Sequence, residues 1–275
     1  MKLSIIIITW NTANTTFKCI QSIKKHLVGF NYEIIVVDNA STDDTVVKLK
    51  KEGGVVIIEN NTNLGFSGGN NVGAKIAKGE YLLFLNSDME LIDDKLIDMS
   101  KYLSKNPDIG IIAPKFLNLD FSPQGSVWPP QTLSNAFKEF WLGKENTYSK
   151  YTPLGNKPVE VFSVSGGAMM TKKSLFNKIG GWDKRYFMYF EDLELCRQIR
   201  KLGFKIVFYP ECQVIHRHGL SGKSLINSSN QWRRLIPSSK TYHGIIKHYL
   251  LFLITWSGQK WQKIAKKYSA TKNLE

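Results

Sequence analysis

With 275 residues, 43% of them apolar and 12% aromatic, the chain can bury a substantial core, and this excludes a disordered class. A net charge of +14 favours an anionic partner, whether a phosphorylated substrate, acidic phospholipid or nucleic acid, without choosing among them. Cys19, Cys196 and Cys212 are odd in number and lack CxxC spacing, which argues against a disulfide framework or a zinc site and suits a reducing compartment.

The isoleucine run over 5–8 is too short for a signal peptide and has no small-residue cleavage site, so it reads as a buried strand. Apolar runs at 3–9, 33–38, 55–59 and 81–85 alternate with helical patterns near 13–27, 42–52 and 67–78, the signature of a mainly parallel sheet flanked by helices. Ligands of such α/β sheets bind beyond the carboxyl ends of the strands. Each run here ends in polar residues: Thr9-Trp10-Asn11, Asp38-Asn39-Ala40-Ser41, Asn60-Asn61 and Asn86-Ser87-Asp88. From 114 to 158 periodicity weakens and prolines and glycines multiply, which reads as a variable insert. Order returns at 159–165, followed by Gly166-Gly167-Ala168, a short helix from Lys172 and the turn Gly180-Gly181-Trp182-Asp183. A helix over 191–202 stops at Gly203, and two short strands at 205–209 and 213–216 precede a basic helical tail. The expected division is a domain at 1–225 and a helical extension at 226–275.

Asp88 closes a strand, where a carboxylate can hold a hard divalent cation across diphosphate oxygens; the tripeptide Asn86-Ser87-Asp88 serves equally as a turn whose acid caps the next helix. Asp38 and Asn39 can meet a nucleobase or ribose, while Ser41 or Thr42 caps the helix that follows. The loop from Asn63 through Gly65, Phe66 and Asn70 to Gly73 lets main-chain N–H groups approach a sugar or phosphate, but fits neither GxGxxG nor GxxxxGK[ST]. In Glu191-Asp192, Asp192 lies on the side of the stripe Leu195, Cys196, Ile199 and Leu202, whereas Glu191 shares a wetter face with Glu194 and Gln198. An inward carboxylate at a helix N-terminus, where negative charge is favoured, suits removal of a proton from a hydroxyl; first-turn acids without chemistry have the same appearance. His216 could complete a metal's shell, with Arg217 or His218 meeting phosphate, and a histidine in this position can equally be structural.

In their order and spacing, five blocks resemble the family 2 glycosyltransferases of GT-A fold, rhamnosyltransferase-like bacterial branch. They are the strand ending Thr9-Trp10-Asn11, Val36-Val37-Asp38-Asn39-Ala40-Ser41, Asn63-Leu64-Gly65-Phe66 through Gly73, Leu85-Asn86-Ser87-Asp88, and Phe187-Met188-Tyr189-Phe190-Glu191-Asp192. The resemblance covers about 3–221. It implies a Rossmann-like mixed sheet and transfer of a sugar, rhamnose favoured, from a nucleotide-diphosphate donor to a glycan or lipid-diphosphate-linked acceptor, in the cytoplasm. By resemblance, Thr9, Asn11 and Asp38 contact the nucleotide, Asp88 binds Mg²⁺ or Mn²⁺, and His216 is a further ligand of the metal or the diphosphate. Gly166-Gly167-Ala168 line the donor or acceptor pocket, Asp192 beside Glu191 is the catalytic base, and Asn39, Asn63, Gly65, Phe66, Asn70, Asn86 and Ser87 complete the donor site. Asn86 stands where many relatives carry aspartate, leaving fewer charges for a metal.

In the tail, Ile246, Leu250, Leu253, Trp256, Ile264 and Tyr268 approximate a helical stripe flanked by Lys247, Lys260, Lys263, Lys266 and Lys267. That pattern suits an interfacial helix on the inner face of an anionic membrane, and equally a helix docked on the enzyme's own core or on a second copy. A sugar-phosphate nucleotidyltransferase is the rival enzyme class, opposed by the lack of a glycine-rich basic loop after the first strand. A nonenzymatic carbohydrate- or nucleic-acid-binding protein would leave the acids and the histidine without a task, and no nucleic acid is expected as partner.

Overall fold

The computed structural model describes residues 2–217 and 228–272. The amino-terminal half alternates as expected: β1 (Leu3–Thr9), α1 (Ala13–His26), β2 (Tyr32–Asp38), α2 (Thr45–Glu52), β3 (Val56–Glu59), α3 (Gly65–Ile76) and β4 (Tyr81–Asn86). It continues with β5 (Met89–Leu91), α4 (Lys95–Lys105), β6 (Ile109–Leu117), β7 (Pro123–Gln124), β8 (Val127–Trp128) and α5 (Leu133–Phe140). The remainder is β9 (Val159–Glu160), β10 (Ser163–Val164), β11 (Ala168–Lys172), α6 (Lys173–Lys178), α7 (Glu191–Lys201), β12 (Lys205–His216), α8 (Ser228–His243) and α9 (Ile245–Lys272).

The main sheet runs β3-β2-β1-β4-β11-β6-β12-β5. β1 is parallel to β2 and β4, β2 to β3, and β6 to β12, whereas β11 opposes β4 and β6, and β5 opposes β12. Both faces are covered, which is why the strands read as apolar runs rather than alternating ones. Leu3, Ile5, Ile7, Val36, Leu83 and Leu85 pack with Ile20, Ile23, Met99 and Leu103 on one face. Ile6, Ile35, Val37, Leu82 and Phe84 pack with Phe176, Trp182, Leu195 and Ile199 on the other. Trp182 meets Phe84 and Phe66 edge-on, each at 5.1 Å, so truncating it to alanine would cost about 3–5 kcal/mol. All three cysteines are buried and free.

The elements beyond β4 depart from expectation in places. The stretch read as an insert from Pro114 begins inside the central strand β6. Pro114 pairs with Tyr209 of β12, whereas the pairing of β11 with β6 involves Ile111 and Ile112, so a missing N–H is tolerated on that side. The two strands expected at 205–209 and 213–216 are one strand, β12, whose register shifts between Tyr209 and Gln213 around Pro210. The helical extension folds back on the rest: Ser238 Oγ of α8 donates to the Met188 carbonyl at 2.8 Å, and α9 packs on α5.

Candidate active site

Strand register brings the polar ends together. Thr9 lies beside Asp38, Asp38 beside Glu59, and Ile8 beside Asn86, so the loops after β1, β2, β3 and β4 leave one edge of the sheet at the same level. Because β11 runs antiparallel, with Ala168 opposite Leu85, the Gly166-Gly167 segment that enters it arrives at that edge. At the end of β12, His216 lies opposite Met89, one residue past Asp88.

The loops after β1 and β2 are fastened to each other. Asn11, in the left-handed region with φ 52, accepts from the Thr42 N–H at 2.7 Å through Oδ1, while its own N–H donates to Ser41 Oγ at 2.9 Å. Asp38 is buried and accepts from the Ser41 N–H at 2.9 Å and from the Ser41 hydroxyl. Ser41 therefore orients Asp38 and does not cap α2; Asp44 holds the N-cap position without a side-chain cap bond, and Asp43 before it accepts from the Thr45 N–H at 3.1 Å. The Thr9 hydroxyl turns into a buried cluster with Thr12 at 2.9 Å and Thr16 at 2.8 Å, and Ser87 reaches Thr12 at 3.4 Å. Asn39 bridges two loops: Nδ2 donates to the Gly65 carbonyl at 3.1 Å, and Oδ1 accepts from Asn60 at 2.9 Å. Gly65 has φ +70, takes an N–H···Oδ1 bond at 2.9 Å to Asn63, and lies so close to the Phe187 carbonyl that a Cβ would collide with it. Asn70, on α3, is buried.

A second group surrounds Asp192. Its Oδ2 accepts from the Gly166 N–H at 3.1 Å and its Oδ1 from the Leu193 N–H at 2.8 Å. One residue on, the Gly167 carbonyl accepts from the Asn86 N–H at 2.8 Å. A Cβ on Gly166 would lie 3.2 Å from Phe66 and 3.4 Å from Asp192, and one on Gly167 would lie 2.6 Å from the terminal methyl of Met89 and 3.2 Å from Phe116, so both glycines sit in closely packed surroundings. Immediately before the acids, Tyr189 (φ 73) and Phe190 (φ 68) both adopt left-handed backbone, at a cost of about 1–3 kcal/mol each. Surrounding contacts hold them there: the Phe66 N–H donates to the Phe187 carbonyl at 2.7 Å, and Phe190 packs on Tyr242 and His243 of α8 at 5.4 and 5.3 Å.

The wet face expected for α7 is not there. Glu194 is buried by an ion pair with Arg197 and a 2.5 Å bond from Gln198, while Leu202, expected in the apolar stripe, lies past the helix end and is exposed. Glu191 is buried too, and its Oε2 has no hydrogen-bond partner among the described residues. Burial, and next the Asp192 charge, push the Glu191 carboxyl well above the usual range, with Lys150 opposing. Lys150, with Trp128 beneath it, is the residue that sequence reasoning missed. It donates to Ser165 Oγ at 3.0 Å and its Nζ lies 4.8 Å from the Trp128 ring centroid. Surrounding protein lowers its pKa, with Asp192 and Glu191 opposing, although the residue keeps exposure to solvent. Local structure sets its position. Glu139 of α5 accepts from the N–H groups of Thr147, Tyr148 and Ser149 at 3.0, 2.7 and 3.0 Å, and Tyr151 bridges to Val127. No sequence periodicity signals this arrangement.

Asp88 Oδ1 and His216 Nε2 are 3.5 Å apart. His216 Nδ1 bonds Gln124 Oε1 at 2.5 Å, and the tautomer with hydrogen on Nδ1 leaves the Nε2 lone pair towards Asp88. Neighbouring ligands of a small octahedral ion with bonds of about 2.1 Å lie roughly 3 Å apart, so these two atoms fit Mg²⁺ or Mn²⁺. No cluster of three or more acidic, histidine or cysteine ligands exists among the described residues; the other positions suit water and diphosphate oxygens. Arg217, expected at phosphate, is instead held by Glu90 through Nε at 2.5 Å and Nη2 at 3.2 Å, and His218 lies outside the described residues.

The model of the family described as Glycosyl transferase family 2 matches residues 4–180, ending before Asp192 and His216. The chain is 29% identical to the low-salt glycan biosynthesis hexosyltransferase Agl10 of Haloferax volcanii, over 78% of its own length and 65% of that protein's. It is 26% identical to the N-acetylglucosaminyl-diphospho-decaprenol L-rhamnosyltransferase of Mycobacterium tuberculosis, over 66% of each. The crystal structure of GalNAc-T7 with UDP, GalNAc and Mn²⁺ shares the fold at a TM-score of 0.63 and 19% identity, over 79% of this chain and 44% of that one. The chain spans less than two thirds of each of these proteins.

Proposed function

Because the chain belongs to glycosyl transferase family 2, we propose that it moves a sugar from a nucleotide-diphosphate donor to an acceptor hydroxyl, inverting the anomeric carbon, in cell-surface polysaccharide synthesis. The observation that supports this reading is the short path from Asp192 towards Asp88: Gly166 donates to Asp192, and its neighbour Gly167 accepts from Asn86, two residues before Asp88. Residues 1–225 are taken as the catalytic domain and 226–275 as its extension. The donor's nucleotide would lie over the loops of Asn11, Asp38 and Asn39, and its sugar near Gly65, Phe66, Asn70 and Gly167.

In the transfer step Asp192 takes the proton of the acceptor hydroxyl, the oxygen bonds to the anomeric carbon, and the bond from that carbon to the diphosphate breaks. The main-chain N–H groups of Gly166 and Leu193 orient the carboxylate. Asp88 and His216 would hold a divalent cation, which when bound supplies positive charge to the departing diphosphate. Lys150 would meet an anionic group on the acceptor side. Rhamnose as the sugar and a lipid-linked diphosphate as acceptor are supported by the name of the mycobacterial relative. Such an acceptor would keep the reaction in the cytoplasm, at the inner face of the membrane.

Thermal denaturation with a panel of dTDP-, UDP- and GDP-sugars, with and without Mn²⁺, tests the reading, since a ligand held at about 100 times its Kd adds about 2.7 kcal/mol. One nucleotide class should raise the melting temperature in a Mn²⁺-dependent way, and Asp88→Asn should remove that dependence. If no nucleotide sugar stabilises the protein, the reading fails.

A further inference from the structure

The long helix α9 has two unlike faces. Its inner face is fixed: Leu251 is buried, a Cβ on Gly258 would press on Phe140 of α5, the Trp141 indole donates to the Ile254 carbonyl at 3.2 Å, and Trp141 stacks on Trp261 at 6.2 Å. The opposite face, at helical spacing, carries Ile246, Tyr249, Leu250, Leu253, Trp256 and Ile264. All six are exposed, Ile246 at 80%, Leu253 at 56% and Trp256 at 46%. An apolar strip of this length is far beyond the scattered hydrophobes of an ordinary surface.

The charges around the strip have one sign. Lys260 sits over the Trp256 ring at 3.9 Å from its centroid, Lys240 reaches the Tyr249 hydroxyl at 2.9 Å, and Lys263 is exposed alongside. No acidic residue occurs between Glu211 and Glu275, so two copies meeting through this face would bring lysines together without counter-charges. Among the described residues no helix is long and apolar enough to cross a membrane. Aliphatic side chains, ring edges with a polar tip and lysines on one helix face match the headgroup boundary of an anionic bilayer, where the apolar groups enter the acyl region and the lysines meet phosphates.

We propose that the outer face of α9 is a docking surface for an anionic lipid bilayer, on which α9 lies in the plane of the interface. Through its inner face α9 is joined to α5, whose Glu139 anchors the loop that carries Lys150. The bilayer would then set the orientation of the acceptor side of the cleft. This last step rests on the function proposed above; the docking surface itself does not.

The test is flotation of the whole chain with phosphatidylcholine vesicles, with and without phosphatidylglycerol. The protein should float with the anionic vesicles, and less so as salt is raised. A Leu253→Glu, Trp256→Glu variant should bind at least about tenfold more weakly, since two buried apolar anchors are lost. Lys260→Gln with Lys263→Gln should remove the preference for phosphatidylglycerol. Both substitutions sit on exposed positions, and unchanged circular dichroism melts establish that the fold is intact. Equal binding by the glutamate variant, or no flotation of the unsubstituted chain, overturns the proposal. So does a concentration-dependent dimer that the same variant dissociates while no vesicles are bound, which would assign the face to a second copy. Flotation needs no donor and no turnover, so its failure would leave the glycosyl-transfer reading standing.

Discussion

The Gly166 N–H donates to Asp192 Oδ2 at 3.1 Å, tying the first turn of α7 to the entrance of β11 across 26 residues of sequence. The same entrance is bonded to β4 through the Gly167 carbonyl and the Asn86 N–H, so the acid on the helix and the acid after the strand share one rigid support. A carboxylate held this way has little orientational freedom left to lose, which suits the role of base proposed for it.

Glu191 makes folding sensitive to alkali in an unusual sense. Its carboxyl is raised by burial and by Asp192, so between the ordinary value of 4.5 and the raised one the folded chain holds a proton that the unfolded chain has released. That contribution to stability is fully present below 4.5 and is lost as pH rises through the raised value. Glu191→Gln should therefore melt above the parent by a margin that widens with pH. Melting curves from pH 4 to 8 check this; parallel curves would show that Glu191 does not titrate in the fold as described.

Lys150 should act on the acceptor. A charge-assisted contact contributes about 1.5–3 kcal/mol, so Lys150→Gln should raise the acceptor KM roughly ten- to a hundredfold and leave the donor Kd nearly unchanged. Steady-state kinetics with the acceptor varied, together with calorimetry of donor binding, separates the two. A loss of donor affinity of the same size would place Lys150 at the donor diphosphate instead.

Gln124 orients His216 through the 2.5 Å bond to Nδ1. Removing a partner of that kind costs about 10–100-fold in metal affinity, so Gln124→Leu should weaken Mn²⁺ binding by that factor in the presence of nucleoside diphosphate. Electron paramagnetic titration of free Mn²⁺ measures it directly. Unchanged affinity would take His216 out of the metal's shell.

Much of the frame was legible because each strand of the first half is buried on both faces and ends in polar residues, so β1 spans 3–9 as expected and β2, β3 and β4 agree within a residue. The link from Asp192 through Gly166 and Gly167 to Asn86 was open to sequence reading only through the resemblance, because it depends on β11 running antiparallel. Glu191 was misread as wet: helical spacing places it beside Glu194, but Glu191 is buried, and Glu194 is buried in a network with Arg197 and Gln198 of the same helix. Lys150 and Gln124 were illegible because they lie in a stretch whose order comes from single side chains such as Glu139, which leaves no periodic trace. The left-handed Tyr189 and Phe190 were hidden for another reason, since neither residue type advertises that conformation.

The most direct test of the account is the Asp192→Asn enzyme, assayed for transfer and for donor binding in parallel. Loss of a general base lowers turnover about 10²–10⁴-fold, so transfer should fall by that order while donor affinity stays within about twofold of the parent. Turnover retained near the parental rate would contradict the account and assign proton removal to another group.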